Sequence, residues 1–291
     1  MRIRATVAAV TGALALSALA VPAAQADNSA VSWADAGKLR AAAVSKAGSA
    51  KAAVRAAAAA EITFSDVKVN NGKAIPVGIT KHVAVPSTFT VTHSADVALD
   101  DFLTGAYIYK GSFDEPDNWL LGVEQADCTP TSATTASCAG DVDIFPGDDE
   151  LLNSDAGSWT VGALAVDAND GSLLGDQGGF GKVSVQRYSK LTVNASPEPV
   201  KKGKTITVTG ALTRANWETH KYAGYTVQPV KLQFKKKGTT SYVTVKTVTS
   251  SSTGALKTTV KAAADGYFRY SFAGTSTTPA VSAAGDFVDV Q

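Results

Sequence analysis

Three kinds of side-chain cluster in this 291-residue sequence could do chemistry: acidic runs, lysine runs and isolated histidines. The acidic runs are Asp114-Glu115 with Asp117, Asp148-Asp149-Glu150 with Asp155, and Asp167-Ala168-Asn169-Asp170-Gly171 with Asp176. Hard oxygen ligands in loops suit Ca²⁺, and Asp167, Asn169, Asp170 and Asp176 are the candidates for holding it. Their spacing departs from an EF-hand loop, because Asn169 and Asp170 adjoin and no Glu closes the run. Solvated acids that keep an exported protein soluble account for the same residues. The lysine runs are Lys201-Lys202 with Lys204, and Lys235-Lys236-Lys237 before Gly238. Clustered ammonium groups attract anionic polymers, so Lys201, Lys202, Lys235, Lys236 and Lys237 are candidate polymer contacts. Lysines on the wet faces of strands, or docked against the acidic half of the chain, are the competing reading.

The histidines point away from catalysis. His82, His93 and His220 have no metal-ligand spacing among them. His93-Ser94-Ala95-Asp96 contains the residue types of a hydrolase triad, but adjacency does not create triad geometry, and no Gly-x-Ser-x-Gly elbow occurs. Cys128 and Cys138, the two cysteines of the chain, are expected to form a disulfide that closes a short loop. The chain is therefore read as a non-enzyme with no required cofactor, Ca²⁺ being the one ion its loops would suit. A hydrolase is the least favoured alternative.

Charge is unevenly divided. From Glu61 to Arg187 there are 6 Lys and Arg against 19 Asp and Glu, a net of −13; from Tyr188 to Gln291 there are 14 against 5, a net of +9. Such segregation bears on partners and association rather than on fold. In an exported chain the anionic partner would be a teichoic or other phosphate-bearing envelope polymer, an acidic polysaccharide, or another extracellular protein. No recognisable nucleic-acid module accompanies the lysines, so nucleic acid is not expected.

These residues must be positioned by short strands. Arg2 and Arg4 precede an apolar run from Ala5 to about Ala20 and the small-residue tripeptide Ala24-Gln25-Ala26, the layout of a secretory signal peptide over 1–26. No second long apolar run follows, so no membrane span is expected after cleavage. Residues 27–60 are Ala-rich, with few bulky apolar side chains, and read as a helix-favouring tether. From Glu61 onward strand-like runs take over: Ile62-Thr63-Phe64, Val67-Lys68-Val69, Phe89-Thr90-Val91, Ala106-Tyr107-Ile108-Tyr109 and Trp159 to Val166. After Tyr188 the alternation is cleaner, with inward candidates two apart in Ile206-Val208, Val230-Leu232-Phe234, Val243-Val245, Leu256-Val260 and Phe268-Tyr270-Phe272. The expected architecture is all-β, two β-sandwich domains in tandem, an acidic one over 61–187 and a basic one over 188–291. Trp119 and Trp217 lie in turn-rich stretches, where a ring either covers the open end of a core or anchors a partner; Trp159 is expected in the core.

Asp155-Ala156-Gly157-Ser158-Trp159-Thr160-Val161 resembles the immunoglobulin-fold corner Asp-x-Gly-x-Tyr-x-Cys, with Trp in the Tyr position. Pro199-Val200-Lys201-Lys202-Gly203, Val208-Thr209-Gly210-Ala211-Leu212-Thr213-Arg214 and Tyr267-Phe268-Arg269-Tyr270-Ser271-Phe272-Ala273-Gly274-Thr275-Ser276 resemble the bacterial immunoglobulin-like modules that end small secreted actinomycete proteins. That resemblance covers about a third of the chain. It implies a non-catalytic immunoglobulin-like sandwich at the cell surface or in the medium, and it carries over no catalytic residue.

Overall fold

The structure, a computed structural model, describes residues 31–40 and 61–291. The expected signal peptide and most of the expected tether lie outside the described residues. The acidic half contributes nine strands: β1 (Ile62–Val69), β2 (Ile75–Val77), β3 (Val83–His93), β4 (Phe102–Gly111), β5 (Pro116–Leu121), β6 (Asp127–Pro130), β7 (Thr135–Ile144), β8 (Gly157–Asp167) and β9 (Leu173–Arg187). They form two sheets, ordered β1-β3-β7-β6 and β2-β9-β8-β4-β5, antiparallel except for the β2–β9 pair. Between them lies one core that includes Ile62, Phe89, Ile108, Ile144, Trp159 and Val185. Cys128 and Cys138 sit directly opposite each other on β6 and β7 and are joined by a disulfide.

Strands β4 and β8 do not alternate, and the reason lies outside the sandwich. Tyr107, Tyr109, Leu164 and Val166 point to the far face of their sheet, where Trp33 and Ala36 cover them and bury them. A strand wetted on neither face reads as a continuous apolar run, which is what Ala106 to Tyr109 and Val161 to Val166 are. Gly105 admits the Trp33 ring, since a Cβ there would lie 2.5 Å from the indole. The Trp33 Nε1 donates to the carbonyl of Gly122 at 3.0 Å. Arg40 is buried beneath the same cover, with its Nε 3.0 Å from the carboxylate of Asp176, which also accepts from the Tyr107 hydroxyl at 2.7 Å. So residues 31–40, expected as part of a tether, are packed on the first sandwich. The Trp33 ring, Ala36, the buried Arg40–Asp176 pair and a bond from the Val31 N–H to the Ala168 carbonyl hold them there, without a bulky apolar stripe.

Asp155 to Val161 forms the expected kind of corner with Trp as its aromatic. The Trp159 Nε1 donates to the carbonyl of Asp155, four residues upstream, at 2.8 Å, and the ring is buried in the core.

The basic half contributes β10 (Ser189–Leu191), β11 (Asn194–Ser196), β12 (Thr205–Asn216), β13 (Lys221–Gly224), β14 (Pro229–Lys236), β15 (Val243–Thr249), β16 (Ala255–Lys261), β17 (Gly266–Phe272), β18 (Val281–Ser282) and β19 (Asp286–Val288). The long strand β12 pairs with β10, β11, β13 and β16 in one sheet; the other is ordered β15-β14-β17, with β18 and β19 both on β17. The alternation read from sequence is realised: Ile206, Val208, Val230, Leu232, Leu256, Phe268, Tyr270 and Phe272 are all buried in one core. The Tyr270 hydroxyl crosses that core to donate to the carbonyl of Val208 at 3.0 Å. Val243 and Val245 depart from the expectation, being 61% and 47% exposed. Strand β15 is an edge strand that pairs with β14 alone, and its register slips between Leu232 and Gln233, which leaves Val245 without an opposite residue, while Val248 beyond the slip packs on the core.

The two sandwiches dock end to end. Arg187 closes β9 by donating its backbone N–H to Thr277 and its Nε to the carbonyl of Ala215. Burial, reinforced by the neighbouring Arg214, lowers the Arg187 pKa to about 10. Trp217, just past the end of β12, is fully buried against the first sandwich's core, and its Nε1 donates to the carbonyl of Gly78 at 2.9 Å. Of the two roles weighed for this ring, the structure assigns it the covering one, over the neighbouring domain's core.

Candidate functional site

The five lysines singled out in the sequence fall at one end of the second sandwich. Lys201 and Lys202 lie in the turn that leads into β12, a turn closed by the Lys204 N–H to the Lys201 carbonyl at 3.0 Å and by Gly203 at φ +78°. A positive φ of that size suits glycine because it has no Cβ. Lys235 and Lys236 end β14, and Lys237 follows them. The register brings these turns together. Thr205 at the start of β12 lies opposite Lys261, and Lys236 at the end of β14 lies opposite Gly266. The C-terminal residues then tie one turn to the other, because Lys202 N–H donates to the Gln291 carbonyl while Val290 N–H donates to Asp265, whose carbonyl accepts from Lys237.

This end faces away from the first sandwich. The other end of β12, at Ala215 and Asn216, carries the contacts with Arg187 and Asn153. Twelve residues of strand separate the two ends, about 36 Å at the usual rise per residue. Lys201, Lys202, Lys236 and Lys237 are exposed and Lys235 is half-buried, so none of the five is used to dock the domains. Acids share this end: Asp265 pairs with Lys237 at 3.5 Å. Glu198 is held above the usual carboxylate range by partial desolvation and then by the like charges of Asp286 and Asp289.

The acidic candidates are distributed differently. Asp167 ends β8 and accepts from the N–H groups of Asn169 and Asp170 at 2.7 and 3.0 Å, which closes its own turn. Asp170 accepts from the Ser172 N–H at 2.8 Å, and that bond holds its carboxyl below the usual range. Asp176 lies further along β9, opposite Leu164, with its side chain 2% exposed against Arg40. The fold does not bring the four together, and among the described residues no three His, Cys, Asp or Glu side chains are grouped to hold a metal ion. Asp155 is occupied as well, accepting from the Leu152 N–H and the Asn118 amide.

Each histidine faces a carboxylate or a backbone carbonyl. His82 sits in a cleft of about 460 Å³, stacked on Phe145 with its Nε2 2.5 Å from Asp143, whose other oxygen accepts from the Val123 N–H. The Nδ1 of His93 faces the backbone carbonyl of Ser94, and the Nε2 of His220 lies 3.5 Å from Asp149. His93, Ser94 and Asp96 therefore form no relay.

Sequence reasoning passed over the buried arginines Arg40 and Arg187, and it passed over the wet face of the sheet β15-β14-β17-β19. The strand pattern of that face was legible, since Gln233, Lys235 and Arg269 alternate with the core residues.

Neither a protein-family model nor a curated protein matches the chain. Among solved structures, similarity is found to the fibronectin(III)-like modules of Clostridium thermocellum CbhA, with 12% identity over 77% of this chain and 92% of that one and a TM-score of 0.27. The Escherichia coli adhesin FdeC aligns at 10% identity over 77% of this chain and 64% of that one, with a TM-score of 0.34. The Yersinia pseudotuberculosis adhesin InvE aligns at 11% identity over 79% and 61%, with a TM-score of 0.26. Overlaps of this size leave function to be argued from the chain's own residues.

Proposed function

We propose that this chain is an extracellular, non-enzymatic binding protein that captures an anionic cell-envelope polymer through the far end of its second sandwich. The observation that carries the reading is the placement of Lys201 and Lys202 on the turn before β12 and of Lys235, Lys236 and Lys237 at the end of β14, all at the end of the molecule remote from the acidic domain. A polyanion approaching that end meets the ammonium groups first and the −13 domain last, so attraction and repulsion are separated along the molecular axis. Export through the signal peptide over 1–26 belongs to the same proposal, and so does an acidic domain that faces away from the envelope and keeps the protein from lying flat on it.

Lys201, Lys202 and Lys236 present point charges on flexible stems, so their affinity should arise from several weak contacts and counterion release. Replacing all five lysines by Ser tests this. Binding to isolated bacterial envelopes should fall steeply, with the melting temperature little changed because four of the five side chains are exposed and the fifth lies on the wet face. Retention equal to that of the unaltered protein would refute it.

A further inference from the structure

The wet face of the sheet β15-β14-β17-β19 carries an arrangement that simple solvation does not require. Arg269 and Gln233 are directly opposite on β17 and β14, and the Arg269 Nε donates to the Gln233 side-chain carbonyl at 2.9 Å. The guanidinium carbon lies 3.8 Å from the centre of the Tyr242 ring. Lys235 and Tyr267 are the next opposite pair on that face, and the Lys235 Nζ lies 4.8 Å from the Tyr267 ring centre and 5.1 Å from that of Tyr242. Phe287, opposite Tyr267 on β19, lies against it with ring centres 5.1 Å apart. Tyr267, Arg269, Tyr242 and Phe287 are all partly exposed, with Gly285 of the segment before β19 lying close against Tyr242 and Tyr267. The contrast with the first sandwich is direct, since there the aromatic outer face is covered by Trp33.

Cations held against ring faces lose less freedom when they meet an anion than cations on free stems do. The Nε bond to Gln233 fixes the plane of the guanidinium, and among the described residues neither Nη group has an acceptor, so the fork is set for a carboxylate. Beside it Tyr267 and Phe287, tilted 57° to each other, add partly exposed aromatic edges, with the Lys235 and Lys237 ammonium groups against their rings. We infer that this face is a binding site for a carboxylated polysaccharide, in which a sugar ring packs beside Tyr267 and Phe287 while its carboxylate is taken by Arg269 and Lys235. A phosphate-linked polyol chain supplies the charge but no ring to pack beside the aromatics, and a neutral glycan supplies the ring but no charge for the cations. The inference rests on the envelope-capture reading and names the chemistry of the polymer captured.

Titration calorimetry with polygalacturonate as the carboxylated probe and inorganic polyphosphate as the ring-free anion tests it. The unaltered protein should bind both, and Arg269→Lys, which keeps the charge but loses the planar fork, should weaken polygalacturonate binding about tenfold, the loss expected for one charge-assisted hydrogen bond. Polyphosphate binding should change less than about twofold, because point charge suffices for it. Gln233→Leu, which removes the acceptor that aims Arg269, should weaken polygalacturonate binding in the same direction and serves where the first variant is poorly folded. Equal responses of the two polymers to both variants, or no response, would overturn this inference while leaving capture by the lysine turns standing. Failure to bind either polymer, with envelopes also unbound, would overturn both.

Discussion

The two sandwiches treat their outer aromatic faces in opposite ways. In the first, Tyr107, Tyr109 and Trp119 lie beneath a segment from residues 31–40, and the cation among them, Arg40, is sealed against Asp176. In the second, Tyr242, Tyr267 and Phe287 hold Lys235, Arg269 and Lys237 at a partly exposed face. The same chemistry of cation on ring is therefore structural in one domain and presented to solvent in the other. What separates them is whether the charge has a buried partner. A buried ion pair costs desolvation on both sides and is strongly destabilising when one member is removed, whereas an exposed cation held on a ring remains able to meet an external anion.

Several changes break or sharpen this comparison. The largest expected effect is that of Trp217→Ala, which empties a fully buried site in the first sandwich's core and loses the bond to Gly78. A loss of about 5 kcal/mol, the upper end for such a truncation, should follow. Urea unfolding should then split into two transitions, as the first sandwich melts ahead of the second. Arg40→Met should cost about 3 kcal/mol by removing the counter-charge of Asp176, and it should expose the first sandwich's aromatic face, seen as a red-shifted Trp emission. The equivalent change on the open face, Arg269→Met, should move the unfolding midpoint little. Replacing Cys128 and Cys138 together by Ser should cost about 2 to 3 kcal/mol, since their bridge closes a loop of ten residues. That loss should fall on the first sandwich alone.

Alkaline titration gives a smaller effect with a definite sign. Burial raises the Tyr270 phenol to about 12 and raises Tyr107 as well, the latter also through the neighbouring Asp176. Between pH 10 and 12 these two phenols stay protonated in the native protein while they ionise in the unfolded chain, so they make stability fall as pH rises through that window, partly offset by Arg187, whose lowered pKa acts in the opposite sense. Equilibrium unfolding at pH 9, 10.5 and 11.5 should show the decline, and the absorbance change of tyrosinate should lag behind that of a denatured sample.

How much of this was legible in the sequence differs between the halves for the same physical reason. The second sandwich is buried on one face, so its period-2 pattern marks Val230, Leu232, Phe268 and Tyr270 as core, while the aromatic residues among those facing water, such as Tyr267, give no such signal. The exception is Val243 and Val245, whose alternation fits a buried face but whose strand lies at the sheet edge. In the first sandwich β4 and β8 are buried on both faces, and their unbroken apolar runs were visible, but the covering segment lies far upstream and carries a single Trp. The Arg40–Asp176 pair spans 136 residues, and no local spacing announces it. Asp176 accordingly looked like a loop ligand, next to the acids of the β8–β9 turn. The five lysines were found because they occur in runs, while their meeting at one end depended on register that turn residues alone do not reveal.

The measurement that tests the central claim most directly is cosedimentation of the protein with isolated bacterial envelopes at low and high salt, with calcium or with chelator, beside the variant in which Lys201, Lys202, Lys235, Lys236 and Lys237 are Ser. Capture by the far end of the second sandwich requires binding that is lost at high salt, indifferent to calcium, and strongly reduced in the variant. Binding that survives salt and the five substitutions, or that appears only with calcium, would contradict it.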